Sequence, residues 1–230
     1  MFYLPRVKLF FKGLSNFKFP KNYDDAFSAM FVREINNFIE YEPKFKNFDY
    51  FTFSNFMIDH FEESENVLIS LNGIVSVVIS SISEEFLRKF TAFLVDGNNL
   101  HYKNNSLSLM KFDFIENVKF KTDESNFITA SPILLKNFPS DGDIFSFLEN
   151  LLIYNYCRYY KLNKDEVSCK ISTNNHMFQS FVDKNDNNPF YDYFFMMDLF
   201  IKADSGLLSF AYDVGLGSNM NKGFGMLDLY

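Results

Sequence analysis

Cysteine is nearly absent. Cys157 and Cys169 are the only two, and they do not form a CxxC pair. That excludes a disulfide-framed secreted domain and a cysteine zinc site, and it fits a reduced, cytoplasmic setting. No apolar run reaches the roughly 18 residues that a membrane span needs, so no membrane is expected among the partners. Lysines interrupt the apolar start, so Met1-Phe2-Tyr3-Leu4-Pro5-Arg6 does not read as a signal peptide. Histidine is scarce: His60, His101 and His176 stand apart, none at metal-ligand spacing from another. No metal and no cofactor are expected. Basic residues are in deficit, 22 against 29 acidic, and the net charge of -7 speaks against a generic nucleic-acid binder. Tryptophan is missing altogether while phenylalanine reaches 32. An AT-rich genome explains that excess, together with abundant Asn, Lys and Ile, so phenylalanine alone is no sign of base stacking.

Present in quantity are apolar residues, 47% of 230, enough for one large domain or two smaller ones. Tyr3 to Lys12 alternates as a strand, and a loop with Gly13, Ser15 and Pro20 follows. Asp24-Asp25 opens a helix to about Glu40, with Phe27, Met30, Phe31, Ile35, Phe38 and Ile39 at helical spacing. Phe48 to Met57 reads as a strand. Val67 to Ser81 is β-branched and broken at Asn72-Gly73, a hairpin or loop signal. Ser83-Glu84-Glu85 caps a helix to about Leu94, and strands follow to about Lys121. In the second half, Phe127 to Lys136 reads as one strand and Asp141-Gly142-Asp143 precedes a helix to about Lys161. Val167 to Thr173 reads as a strand, Asn185 to Pro189 as a polar turn, Tyr193 to Ala203 as a strand, and Gly206 to Tyr212 as a short helix before the last strand. Each half is β-α-β-β-α-β, so the fold class expected is α+β with two tandem ferredoxin-like domains, 1–124 and 125–230. A faint repeat at an offset of 118 residues supports duplication. Asp25, Phe27, Ser28, Ile35, Asn37 and Tyr41 match Asp143, Phe145, Ser146, Ile153, Asn155 and Tyr159, at the first helix of each half.

Charge is unevenly spread. Residues 1–23 hold Arg6, Lys8, Lys12, Lys18 and Lys21 and no acid, leaving 17 basic against 29 acidic residues elsewhere. A local basic surface is therefore compatible with an acidic chain, and so is a merely solvated strand and loop. Glu62, Glu63 and Glu65 read as a solvated face.

The carboxyl-terminal stretch carries most of the chemistry. Four of the nine glycines lie there, as Gly215-Leu216-Gly217 and Gly223-Phe224-Gly225, separated by Ser218-Asn219-Met220-Asn221-Lys222. Glycine permits positive φ and close approach to the backbone, and consecutive free amides make an anion nest. Ser218, Asn219, Asn221 and Lys222 add donors and one positive charge, which suits a phosphodiester. A plain hairpin turn accounts for Asn221-Lys222-Gly223 but not for four glycines. A nucleotide loop needs GxxxxGK[ST] or GxGxxG between strand and helix, whereas here a helix precedes and a strand follows. Lys222 to Leu229 approaches the RNP1 pattern of an RRM, but no further helix and strand come after it.

This GxGxxxxxGxG loop resembles the signature of the CRISPR-associated repeat-RNA endoribonucleases, members of the RAMP superfamily. Phe51-Thr52-Phe53-Ser54, Thr129-Ala130-Ser131-Pro132-Ile133 and Tyr212-Asp213-Val214 are similar to that family's stretches, in order along the chain. The resemblance implies two ferredoxin-like domains, binding of the repeat in a precursor CRISPR RNA, and metal-independent cleavage. In that reaction the ribose 2′-hydroxyl attacks the adjacent phosphorus and leaves a 2′,3′-cyclic phosphate. Many members carry a histidine at the end of the first helix or just after it. Ile39 to Asp49 contains none here, which leaves Tyr41, Lys44 and Lys46 as catalytic candidates, with Tyr23 as a second tyrosine to orient the hydroxyl. The RNA-binding set expected is Gly215, Gly217, Ser218, Asn219, Asn221, Lys222, Gly223, Gly225, Arg33, Lys18 and Lys21. The partners implied are CRISPR repeat RNA and, in an alternative reading, the subunits of a CRISPR effector complex, with the chain a monomer or homodimer. A non-catalytic RNA holder and a protein-binding scaffold are the competing readings.

Overall fold

A computed structural model describes residues 4–20, 23–65, 67–102, 105–139, 142–173, 179–183 and 190–230. The chain divides into two units: Met1–Asn117 with Asn221–Gly223, and Val118–Met220 with Phe224–Tyr230.

The first unit contains β1 (Arg6–Lys12), β2 (Phe17–Pro20), α1 (Tyr23–Tyr41), β3 (Phe51–Phe53), β4 (Met57–Ile58), β5 (Phe61–Ser64), β6 (Val67–Ser70), β7 (Ile74–Ser81), α2 (Glu84–Val95), β8 (Leu100–Tyr102) and β9 (Asn105–Ile115). Its main antiparallel sheet has the order β3-β7-β1-β9-β8. Without the insertions this is β1-α1-β3-β7-α2-β9, the ferredoxin-like plan. Alternation puts Val7, Leu9 and Phe11 of β1 and Val75, Val77 and Ile79 of β7 on the buried face. Phe27, Phe31 and Phe38 of α1 and Phe86 and Phe90 of α2 complete that core. Their rings meet largely edge to face, as in Phe31–Phe90 at 5.6 Å and Phe38–Phe86 at 5.7 Å, the arrangement the ring quadrupole favours. Ser83 caps α2 by accepting the Phe86 amide.

The break at Asn72-Gly73 is a loop and not a hairpin. β6 pairs with β2 and β5 in a separate small sheet, whereas β7 pairs with β1 and β3. β2 lies where a loop was expected; Phe17 and Phe19 bury themselves and leave Lys18 outside. β5, read as a solvated acidic face, is a strand whose four residues are all exposed.

The second unit contains β10 (Glu124–Thr129), β11 (Ile133–Pro139), α3 (Ile144–Tyr160), β12 (Cys169–Ser172), β13 (Gln179–Asp183), β14 (Phe190–Met196), β15 (Asp198–Ala203), α4 (Ser205–Val214) and β16 (Leu227–Leu229). Its four-stranded sheet, β12-β15-β10-β16, repeats the ferredoxin-like order, and β11-β14-β13 form a second sheet. Two expected single strands are each split between these sheets. Phe127–Lys136 breaks at Ser131-Pro132, because proline offers no amide to continue a ladder. Tyr193–Ala203 breaks at Met197, whose amide turns to the Thr129 hydroxyl. The turn expected at Asn185–Pro189 lies outside the described residues. The six repeat matches fall on α1 and at the start and along the length of α3. Asp143 caps α3, but Asp25 stands inside α1, so the cap itself is not repeated. Among the described residues no helix is long and apolar enough to cross a membrane.

Candidate nucleic-acid interface

The glycine loop leaves α4 at Val214 and returns to β10 as β16. Its backbone is largely used up. The Leu216 amide donates to the Gly225 carbonyl at 2.8 Å, the Ser218 amide to Leu134 at 2.7 Å, and the Gly225 amide to Pro132 at 2.8 Å. The Met226 amide donates to the Ser131 hydroxyl at 2.9 Å, and the Gly215 amide to Ala211 in the last turn of α4. All four glycines are buried. The expectation of a nest of open amides therefore fails for these five groups. They bind the Ser131-Pro132 segment, the start of β11, α4 and the loop's own opposite arm. Gly217 and Gly225 serve this packing, and Gly223 packs on Phe53. At Gly225, φ is +72° and a Cβ would stand 1.7 Å from the Leu216 carbonyl oxygen. At Gly223, with φ at +89°, a Cβ would meet the Phe53 ring at 2.3 Å. No side chain fits either place.

Between the glycines the loop turns outward. Ser218, Asn219 and Asn221 are half-buried, and Lys222 is exposed at the end of a short 3-10 turn, Met220–Lys222. Asn219 holds φ at +54°, a conformation asparagine tolerates. The Ser218 hydroxyl accepts weakly from the Lys136 amide, at 3.4 Å.

The other candidate region begins where α1 ends. Tyr41, the last residue of α1, is 71% exposed, its ring 5.8 Å from that of Phe93. Pro43–Phe45 forms a 3-10 turn, and the Lys46 amide closes it on the Pro43 carbonyl. Phe45 anchors the turn in the core, against Phe38 and Phe86. The flanking lysines then point outward. Lys44 is paired with Glu85, and Lys89 holds Glu42 at 2.8 Å. Both pairs tie the loop to α2. The Lys44 ammonium draws the Glu85 carboxyl below its ordinary value, and the Glu42 carboxylate raises Lys89. A lowered carboxyl loses its pairing only as pH falls through the acid range, and a raised lysine only as pH climbs past its usual value, so both clamps are closed near neutrality. Lys46 is exposed, and none of the ion pairs among the described residues involves it.

The remaining expected residues scatter. Arg33 lies two turns back on α1; its guanidinium donates to the His101 carbonyl at 2.9 Å and approaches Glu34 at 3.5 Å. Lys18 is exposed on β2. Lys21 and His176 lie outside the described residues, and Tyr23 is the first residue of α1. His60, at φ +48°, is an exposed turn residue 3.6 Å from Asp59. The basic amino-terminal segment is less of a surface than its charge suggests. Arg6 is 2% exposed, Lys12 donates to the Asn72 carbonyl, and Lys8 lies over the Phe10 ring at 5.2 Å. Sequence reading missed Glu85, Glu42 and Lys89, which hold the α1 exit loop. Separations of 41 and 47 residues leave no local signal for such pairs.

Residues 115–229, half of the chain, match the family model described as CRISPR associated protein Cas6, C-terminal. The chain belongs to the Cas6 family. Solved structures share its fold over nearly the full length. One titled CRISPR associated protein Cas6 has a TM-score of 0.79 at 21% identity, with 98% of each chain covered. A second, characterised as the product of a Cas6-related gene from Pyrococcus furiosus, gives 0.76 at 19%, again with 98% of each. A third, titled an RAMP protein binding different RNA substrates, gives 0.77 at 18%, covering 98% of this chain and 99% of its own. No curated protein matches. The Cas6 fold thus agrees with the two ferredoxin-like units described above.

Proposed function

We propose that this chain binds the repeat of a precursor CRISPR RNA and cuts it without a metal ion, by attack of the ribose 2′-hydroxyl on the adjacent phosphorus. The observation that carries the reading is membership of the Cas6 family together with an exposed Lys46, in no ion pair among the described residues, on an anchored loop at the end of α1. The reaction needs in-line positioning, one proton removed, one delivered, and stabilisation of charge on the phosphorane. Lys46 supplies the charge and the proton for the leaving 5′-oxygen. Tyr41 orients the 2′-hydroxyl, whose proton passes to solvent water as its oxygen bonds to phosphorus and the bond to the 5′-oxygen breaks. Lys44 is spent on Glu85 and acts only once RNA displaces that partner. Lys222, Asn219, Asn221 and Ser218 hold the phosphate backbone at the loop tip, and the glycines keep that tip in place. Arg33 and Lys18 add phosphate contacts.

A repeat RNA carrying a single 2′-deoxy nucleotide at the cut site tests this in EDTA. Binding with unchanged affinity and no cutting is expected, whereas the all-ribose RNA is cut. Cutting of the deoxy RNA at the same bond would refute the mechanism. A second reading, a Cas6-type subunit that holds repeat RNA without cutting it, draws on the absence of histidine from Ile39 to Asp49 and on the Lys44–Glu85 pair. Tight binding with intact RNA separates it from the first.

A further inference from the structure

Phenylalanine is abundant in this chain, but one ring differs in what surrounds it. Alternation along β1 sends Val7, Leu9 and Phe11 under the helices and puts Lys8, Phe10 and Lys12 on the opposite face of the sheet. β9 brings Lys111 opposite Phe10 and Asp113 opposite Lys8. The register then shifts between Phe10 and Phe11, which leaves Met110 as an extra residue on β9. A bulge of this kind re-aims the side chains beside it. The Lys8 ammonium lies 5.2 Å and the Lys111 ammonium 5.3 Å from the centre of the Phe10 ring. Lys8 and Phe10 are half-buried, and Lys111 is exposed. Lys111 also pairs with Asp113 at 2.6 Å, whereas no ion pair among the described residues involves Lys8.

The ring quadrupole attracts a cation placed over it. Two cations at one ring repel each other, and only one of these has a carboxylate beside it. A group that brings both a flat π-face and negative charge suits all three side chains. An unpaired nucleotide is such a group: its base stacks on the ring, and its flanking phosphates take the ammonium groups. Inside a duplex the faces of each base are already covered by its neighbours. We propose that Phe10 is a stacking platform for one unpaired nucleotide of the bound RNA, with Lys8 and Lys111 holding the phosphates on either side of it. The proposal rests on the RNA binding of the proposed function. It adds a contact made by neither the glycine loop nor the α1 exit loop, and it requires the RNA to be single-stranded there.

Filter binding across salt concentrations tests it, with single-stranded repeat RNA and with a perfect duplex of the same length. Phe10→Leu is expected to weaken single-stranded binding about tenfold, the loss of one stacked base. The slope of log K against log salt stays as it was, because no charge is removed. Phe10→Tyr keeps the ring and the affinity. Lys8→Ala lowers the slope by about 0.7. Duplex binding is indifferent to both Phe10 variants. Circular dichroism confirms that each variant is folded. On the unaltered chain, repeat RNA with 5-iodouridine placed at successive positions should crosslink to Phe10 from one position on irradiation. Phe10→Leu binding single-stranded RNA undiminished overturns the platform and leaves the proposed cleavage standing. So do equal losses on single strand and duplex, and so do crosslinks that never map to Phe10. A chain that binds no RNA at all refutes the proposed function, and the platform with it.

Discussion

The glycine loop and the α1 exit loop are built in opposite ways. In the glycine loop, five amides are bonded inward, and at Gly217, Gly223 and Gly225 neighbouring atoms leave no room for a Cβ; the residues between the glycine pairs are less buried. In the exit loop a single 3-10 turn is pinned by one buried ring, Phe45, and by two ion pairs to α2, while its lysines stay at the surface. A glycine signature here records how closely a loop packs against neighbouring backbone and rings, at Gly217, Gly223 and Gly225.

Substituting the two regions should break them in different ways. The largest effect is expected from Gly225→Ala. It forces a Cβ into the Leu216 carbonyl at positive φ and should cost about 3 kcal/mol, read as a lowered melting temperature. Cysteine labelling locates the damage, because both thiols lie in the second unit. Burial pushes the Cys157 thiol up and the Cys169 thiol to about 12, so the native chain should label slowly at pH 8. Gly225→Ala should speed that labelling. Lys46→Ala should leave melting unchanged and slow cleavage about 100-fold under single-turnover conditions. Lys222→Ala should lower RNA affinity severalfold and reduce the slope of log K against log salt by about 0.7, the loss of one phosphate contact to a single strand. The smallest effect is expected from Glu85→Gln. It frees Lys44 from an exposed pair and should leave melting unchanged; a rise in the cleavage rate would show that Lys44, and not Lys46, acts on the phosphate.

Much of the fold was legible because local signals agreed. Helical spacing from Phe27 to Phe38 located α1, Ser83 announced α2, and Asp143 announced α3. Strand ends were less legible. Thr129-Ala130-Ser131-Pro132-Ile133 is apolar enough to read as one strand, yet its residues serve two sheets, and only the choice of hydrogen-bond partner tells them apart. The candidate loop was legible from its glycine spacing, and its packing was not. The glycine spacing marked the loop, but nothing local shows that its amides would find Leu134, Pro132 and Ser131. The basic amino-terminal run misled for a related reason. Charge is visible in a sequence, whereas the burial of Arg6 depends on strands from across the sheet.

The most direct test is end-group analysis of the organism's own repeat RNA after single-turnover incubation with excess protein in EDTA. A single cut leaving a 2′,3′-cyclic phosphate on the upstream fragment, and lost in Lys46→Ala, is the expected result. Intact RNA, or a cut that persists at full rate in Lys46→Ala, would contradict it.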